Sequence, residues 1–413
     1  MITKLSLTDK SIKSYAIRKL TPKECFRLMG VRDDVIDTMR SSVGEAEARV
    51  GDISKCVRSV KDKSALAVSE SQQYKQAGNS IVVDVLVHIY EQLWYPTGKL
   101  RDTENAKKKI LTTFSGYDSQ CMAADVLKEK HSDFDWECVG WSDIDKPACL
   151  MHDIVFPKYK DKALGDITKI DWNAVKESMN GKDIDLFTYS SPCQDISQAG
   201  KQMGLLEGSG TRSALLWYVA DAIEALKPKY LLQENVKALV SKKFMPDFQK
   251  WIDKLDSLGY VSVWCVLNSK DYGVPQSRDR VFCLSMRKDV AFDYKFPEKI
   301  ELTTGVKDIL EDEVKDKYFL KDEQVYKYMT TTDTDSAVFV TFDIPHTHKS
   351  AMFLKTYLAR KVKGEWEKKP TELKEYVESL KEAFYAEHVK FLENGIDVFN
   401  DEFKEEYFIN MKE

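Results

Sequence analysis

No CxxC pair and no Cys/His cluster at zinc spacing occurs among the eight cysteines, Cys25, Cys56, Cys121, Cys138, Cys149, Cys193, Cys265 and Cys283. A chain of 413 residues needs no disulfide staple, so most of these thiols are expected to be small buried hydrophobes. An excess of basic charge is also missing: 62 Lys and Arg stand against 67 Asp and Glu, a formal net charge of −5. That excludes a basic arm coating nucleic acid non-specifically, but not a local basic cleft. There is no internal repeat, and no apolar run of membrane-spanning length. The start, MITKLSLTDKSIKSYAIRKL, is polar and mixed, unlike a signal peptide. With 43% hydrophobic and 31% charged residues the chain can bury a sizeable core. It reads as a soluble, intracellular globular protein of roughly two or three domains.

From about residue 107 to 290, short β-branched or aromatic runs alternate with helical patterns. Strands are expected at Ile110–Phe114, Trp136–Trp141, Ile184–Tyr189, Tyr230–Asn235, Ser262–Leu267 and Val281–Met286. Between them, Leu215, Leu216, Val219, Ile223 and Leu226 recur at helical spacing, as do Phe248, Trp251 and Leu255. Repeated strand–helix units predict an α/β fold, a mainly parallel sheet with helices on both faces. Before it, Thr21-Pro22 starts a helix to about Met29. Arg40 to Lys63 reads as a charged insertion, and Gln76 to Ser80 opens an apolar helix over Ile81–Leu93. Residues 96–109, polar and ending in three lysines, read as a linker. Near the end, Ser336–Thr341 reads as a strand and Thr371–Phe391 as a helix.

The residues suited to chemistry fall at the expected strand ends, where α/β enzymes keep their sites. Phe114-Ser115-Gly116-Tyr117-Asp118-Ser119-Gln120 lies between a strand and a helix, where a glycine admits a ligand and a helix N-terminus offers free N–H groups. Asp143 ends the second strand where an acid would take ribose hydroxyls, and Asp166 supplies a carboxylate for an adenine amino group. Taken singly, each of these is more often a capping or solvated Asp. Cys193, in Ser190-Ser191-Pro192-Cys193-Gln194, puts a thiol at a third strand end. Glu234-Asn235-Val236 adds a carboxyl, and Gln276-Ser277-Arg278-Asp279-Arg280 two guanidiniums. A thiolate needs a positive neighbourhood, a carboxylic acid can protonate a ring nitrogen, and arginine can hold a carbonyl oxygen or a phosphate. The bland alternative for Glu234 is a buried ion pair with one of the arginines.

Taken together, these motifs resemble those of the DNA (cytosine-5) methyltransferase family. FSGYDSQ is similar to its cofactor motif, SSPCQDIS to the nucleophile motif, ENV to the carboxylate motif and QSRDR to the arginine motif. RKLTPKEC and QAGNSIVV look like the two motifs that normally close such a chain, yet here they come first, so the order resembles a circular permutation. The resemblance spans roughly residues 15–94 and 107–320. It implies a Rossmann-like methyltransferase sheet plus a smaller target-recognition domain. The corresponding division is residues 1–70 in the recognition domain, 71–95 as a helix completing the catalytic domain, 96–109 as linker, 110–320 as the S-adenosylmethionine-dependent catalytic domain, and 321–413 as a variable recognition or partner-binding region.

The resemblance further implies Cys193, Glu234, Arg278 and Arg280 as catalytic residues. Phe114, Gly116, Asp143, Ile144, Asp166, Ile167, Pro192, Leu215, Asn79 and Ser80 would bind S-adenosylmethionine, and no metal is expected. Double-stranded DNA is the implied partner of a monomeric, cytoplasmic, DNA-associated enzyme, with a restriction endonuclease as its genetic partner and a flipped cytosine as its target. Gln194–Arg212, rich in glycine, would close over the target, and Lys349, Lys355, Arg360, Lys361 and Lys363 would contact DNA. The sequence departs from the family where Asp118 and Ser119 replace common glycines, and in its Glu-rich tail. The alternatives are a tRNA cytosine-5 methyltransferase and a non-catalytic DNA-binding regulator. Replacing the nucleophile separates catalysis from binding: Cys193→Ser is expected to lose turnover while keeping its affinity for S-adenosylmethionine, because a hydroxyl ionises far less readily than a thiol. Labelled-methyl transfer and calorimetry on the variant check the two halves of that expectation.

Overall fold

The computed structural model describes residues 2–6, 11–15, 18–39, 68–101, 107–180, 183–192, 215–319, 337–344, 352–362 and 365–366. They fall into two compact units, one of Pro22–Glu311 and one of Met1–Thr21 with Asp312–Glu413.

In the smaller unit, β1 (Ile2–Ser6) and β2 (Ser11–Tyr15) form an antiparallel hairpin. Elements of the larger unit, in chain order, begin with helices α1 (Pro22–Arg27), α2 (Asp33–Met39), α3 (Glu70–Asn79) and α4 (Val83–Trp94). Then come β3 (Lys107–Thr113), α5 (Ser119–Lys130), β4 (Asp135–Ser142), α6 (Lys146–Val155), α7 (Trp172–Ser178) and β5 (Leu186–Tyr189). The unit ends with α8 (Leu216–Leu226), β6 (Tyr230–Val236), α9 (Met245–Ser257), β7 (Tyr260–Asn268), β8 (Asp279–Arg287) and the short α10 (Val306–Ile309). The smaller unit resumes with β9 (Ala337–Ile344), β10 (Met352–Val362) and β11 (Glu365–Trp366). There β1 pairs in parallel with β10, and β10 pairs antiparallel with β9 and β11, so residues 2–15 and 337–366 share one sheet.

The larger unit carries a six-stranded sheet of order β4-β3-β5-β6-β8-β7. The first four of these strands are parallel, and β8 runs against both its neighbours. Adjacent residues of a strand face opposite sides, and here both sides are apolar. Ile110, Leu186, Leu232 and Leu284 join one buried cluster with helices α4, α5 and α6. Their neighbours Leu111, Phe187, Leu231 and Cys283 join the other, with α7, α8 and α9. The fold is therefore the expected α/β sheet covered on both faces. No helix among the described residues is long and apolar enough to cross a membrane.

Three features differ from the sequence reading. The segment expected to lead into the apolar helix is itself helical, and Ser80–Val82 forms the break between α3 and α4. That helix buries Gln73, Gln76 and Ala77, so apolar periodicity does not reveal it. The lysines taken as linker open β3: Lys107 pairs with Glu137 at 3.2 Å, Lys108 is buried, and the Lys109 amide donates to Asp185 at 2.9 Å. The ion pair to Glu137 of β4 makes Lys107 compatible with a sheet, and Asp185, just before β5, satisfies the Lys109 amide. Lastly, residues 22–39 and 68–70 fall in the larger unit rather than in a recognition domain spanning 1–70, and the unit ends at Glu311 rather than residue 320. Phe26, Met29, Val31, Ile36 and Met39 are buried in the same cluster as α4. The α1 turn docks on that helix through the Val83 amide, which donates to the Met29 carbonyl at 2.9 Å. Gly30 has φ +72° there, and a Cβ at this position would collide with the Asp84 carboxylate. The insertion at Arg40–Lys63 and the helix at Thr371–Phe391 lie outside the described residues.

This shared core makes a measurable claim. Leu86, fully buried on α4, is expected to cost about 2–5 kcal/mol when truncated to alanine. The loss should appear in the cooperative urea transition of the whole larger unit. A separate transition confined to residues 68–95 would show that this segment does not complete the sheet's core.

Candidate functional site

Four parallel strands end along one edge of the sheet, and the reversed strand β8 begins there. Phe114 follows β3, Asp143 follows β4, Ser190 to Pro192 follow β5, and Glu234 to Val236 end β6. The register pairs Val236 with Arg280, which places Arg280 diagonally across from Glu234 on the same face. A cavity of 570 Å³ opens along this edge. It is lined by Phe114, Gly116, Asp143, Ile144, Asp166, Ile167, Pro192, Leu215, Asn79, Ser80, Glu234, Arg278 and Arg280. Every site residue expected from sequence, Cys193 excepted, thus reaches one cavity. Cys193 and the Gln194–Arg212 loop lie outside the described residues, while Pro192, the neighbour of Cys193, is on the cavity wall.

At one end of the cavity, Gly116 turns with φ +59°, and its amide donates to Asp143 Oδ2 at 2.8 Å. The other Asp143 oxygen accepts from the Asp145 amide, also at 2.8 Å. Burial pushes the Asp143 carboxyl up, against these backbone donors. Asp166 is held below the ordinary carboxylate value by the amide of Thr168 and by its hydroxyl, at 3.0 and 2.8 Å. Ile144, 69% exposed, offers an apolar surface between these two acids in sequence. Phe114 adopts φ +53°, a backbone conformation that side-chain-bearing residues rarely take. A ring, an aliphatic side chain, two carboxylates and a glycine turn fit a ligand with an aromatic base, a sugar diol and a polar tail.

At the other end, Glu234 Oε1 lies 3.0 Å from Arg280 Nε. Burial pushes the Glu234 carboxyl up, opposed by Arg280, Arg278 and a hydrogen bond with Ser190. Arg280 also donates to the Asp279 carbonyl at 2.8 Å. Arg278 is engaged differently from its neighbour: its Nη2 donates to the carbonyls of Gly78 and Ser80, both at 2.8 Å, fastening the end of α3 to the start of β8. Lys75 adds an exposed pair with Asp145 at 3.0 Å, and the hydroxyls of Ser80 and Ser119 are in contact.

Sequence reasoning left Asn235 without a separate role. Its side-chain amide donates to the Ser191 carbonyl and hydroxyl at 3.3 and 3.4 Å, tethering the chain two residues before Cys193. Its place in Glu234-Asn235-Val236 was the available signal. Tyr117, Gln120 and Ala148 also line the cavity, and each sits next to a residue singled out by sequence or one helical turn away from it. Among the described residues, no group of three or more His, Cys, Asp or Glu is placed to hold a metal ion.

The model of the C-5 cytosine-specific DNA methylase family matches residues 110–398, and the chain belongs to that family. It is 41% identical over 211 residues to the type II methyltransferase M2.ScrFI of Lactococcus lactis subsp. cremoris, covering 51% of this chain and 55% of that protein. To the orphan methyltransferase M.SssI of Spiroplasma monobiae it is 40% identical over 161 residues, 38% of this chain and 41% of that one. The chain spans about half the length of the curated relatives it matches. Among solved structures, Spodoptera frugiperda DNMT2 aligns over 54% of this chain and 65% of that chain, at 23% identity and a TM-score of 0.41.

Proposed function

We propose that this protein methylates carbon 5 of a cytosine in double-stranded DNA, using S-adenosylmethionine. The observation that carries the reading is the single cavity that joins the Glu234–Arg280 pair to the Phe114, Asp143, Ile144 and Asp166 set. Membership of the family supports the same activity. The target carbon is inaccessible in a stacked duplex, so the base must be turned out into the cavity.

Asp143 would accept from the ribose hydroxyls, Asp166 from the adenine amino group, and Phe114 and Ile144 would flank the base. Gly116, Ile167, Pro192, Leu215, Asn79 and Ser80 would complete the wall, which leaves room for the polar tail near the Gly116 turn. S-adenosylmethionine supplies a methyl group bonded to a positively charged sulfur, which departs as the neutral thioether of S-adenosylhomocysteine. Cys193, as thiolate, adds to C6 of the cytosine while Glu234, whose carboxyl burial pushes up, donates a proton toward N3. Arg280 binds the base near O2 and holds the Glu234 side chain in place. The electron pair released at C5 takes up the methyl group. Loss of the C5 proton to water then restores the C5–C6 double bond and expels the thiolate, and the proton on N3 returns to Glu234. Arg278, given to the carbonyls of Gly78 and Ser80, would position the segment that carries Asn79 and Ser80.

We read the motif order as a circular permutation, with residues 96–106 joining the former ends. Support comes from Asn79 and Ser80 on the cavity wall, from α4 in the core of the sheet, and from β1 pairing with β10 in one unit. Target choice would then reside in Met1–Thr21 with Asp312–Glu413, where Lys355, Arg360 and Lys361 belong to β10. The type II designation of relatives such as M2.ScrFI supports a restriction endonuclease as genetic partner.

Transfer of labelled methyl groups to duplex DNA, single-stranded DNA and tRNA tests the reading: label should enter duplex DNA, and label in tRNA alone would overturn it. The same assay carries a pH expectation. A carboxyl raised by burial donates only while protonated, so turnover should fall as pH climbs through the raised Glu234 value and should be retained below it. Glu234→Gln should lower kcat by about 10²–10⁴-fold and remove that alkaline limb.

A further inference from the structure

His152, on α6 outside the cavity, is fully buried and stacks on Trp141 with ring centroids 3.7 Å apart and planes 20° from parallel. Its Nε2 lies 3.4 Å from Asp118 Oδ2, and its Nδ1 lies 3.9 Å from Asp153 Oδ1. Those two carboxylates are the titratable groups facing it, Asp118 from the start of α5 and Asp153 from its own helix, while β4 presents Trp141 and the chain after α6 presents Phe156. Neither His152 nor Asp153 has a part in the chemistry above.

Asp118 has an unusual task. It is fully buried and caps α5, with φ +69° and ψ +60°, the left-handed region that glycine enters freely and other residues enter only against steric strain. Its Oδ1 accepts from the Cys121 amide at 3.1 Å, and its Oδ2 from the Thr112 hydroxyl at 3.0 Å. Thr112 is hydrogen-bonded at 2.8 Å to Ser115, whose own amide donates to the Ser142 carbonyl at 3.1 Å, next to Asp143. The next two residues, Ser119 and Gln120, line the cavity. A buried carboxylate on a strained turn therefore stands one residue from the cavity and is tied through two hydroxyls to the loop that carries Asp143. Such a carboxylate needs a compensating charge.

We infer that His152 is a positioning residue for the cofactor: as an imidazolium beside Asp118, it fixes the left-handed turn that shapes the Phe114–Gln120 side of the cavity. The inference rests on reading the cavity as the S-adenosylmethionine site. Burial alone would pull the imidazole below 6.5, but the nearby Asp118 and Asp153 carboxylates, 3.4 and 3.9 Å away, outweigh it and hold the group above that value. A group raised on folding contributes fully at low pH and loses its contribution as pH rises through its folded value. Cofactor affinity should therefore weaken in the alkaline direction.

The test is calorimetry of S-adenosylmethionine on the full chain between about pH 6 and pH 9, with His152→Gln, Asp118→Gly and the double variant. Loss of one charge-assisted contact should raise Kd about tenfold in His152→Gln and flatten its pH dependence, while kcat at saturating cofactor changes far less. In the Asp118→Gly background a glycine takes the turn unaided, so His152→Gln should change Kd by less than about twofold. An equal effect of His152→Gln in both backgrounds would assign the histidine to packing on Trp141 and overturn the inference. Should His152→Gln fail to fold, the unmodified protein and Asp118→Gly decide: the rise of Kd with pH must be present in the first and lost in the second. Identical profiles overturn the inference while leaving the cofactor reading intact. No binding by the unmodified protein at any pH overturns both.

Discussion

Because β8 runs against β6, Arg280 begins a strand at the same sheet edge where Glu234 ends one, and the pair closes at 3.0 Å. A fifth parallel strand in that position would place its starting residue at the opposite edge. The hairpin formed by β7 and β8 is thus more than a way to finish the sheet. It supplies a cation to an edge whose other residues arrive from strand ends, and that cation opposes the upward push that burial exerts on the Glu234 carboxyl. Removing one member of such a pair leaves the other buried and uncompensated, at a cost of about 3–5 kcal/mol. The site and the sheet's register therefore depend on each other.

A similar economy governs the opposite end of the cavity. Asp143 holds the amides of Gly116 and Asp145, Ser115 bonds the backbone of Ser142, and Asp118 caps α5, so the loops after β3 and β4 fix one another. Between the two ends, Arg278 and Asn235 use side chains to hold main-chain carbonyls, of Gly78 and Ser80 in one case and Ser191 in the other. Residues with the most reactive chemistry are in this way surrounded by residues whose task is to hold backbone in place.

Much of the site was legible because its residues follow short apolar, β-branched or aromatic runs: Phe114, Asp143, Pro192 and Glu234 each mark a strand end, and strand ends are the readable part of an α/β pattern. Arg280 was legible as a residue type but not as the partner of Glu234, since that choice follows from the reversal of β8. Helix α3 escaped because its buried face is made largely of glutamines, and the lysines of β3 escaped because their partners, Glu137 for the Lys107 ammonium and Asp185 for the Lys109 amide, come from distant parts of the chain. The clamp from Arg278 to Gly78 spans 200 residues, a pairing that local pattern cannot announce. The exchange of a family glycine for Asp118 was visible, whereas its consequence required seeing His152 beside it.

The most direct measurement uses duplex DNA in which 5-fluorocytosine replaces cytosine throughout, so that no knowledge of the recognition sequence is needed. Fluorine cannot leave C5 as a proton does, so the thioether to C6 should persist after methyl transfer. The account predicts a denaturation-resistant protein–DNA adduct that requires S-adenosylmethionine and maps to Cys193 by peptide mass spectrometry. Methylation of the unsubstituted duplex with no adduct on the fluorinated one, or an adduct on another residue, would contradict it.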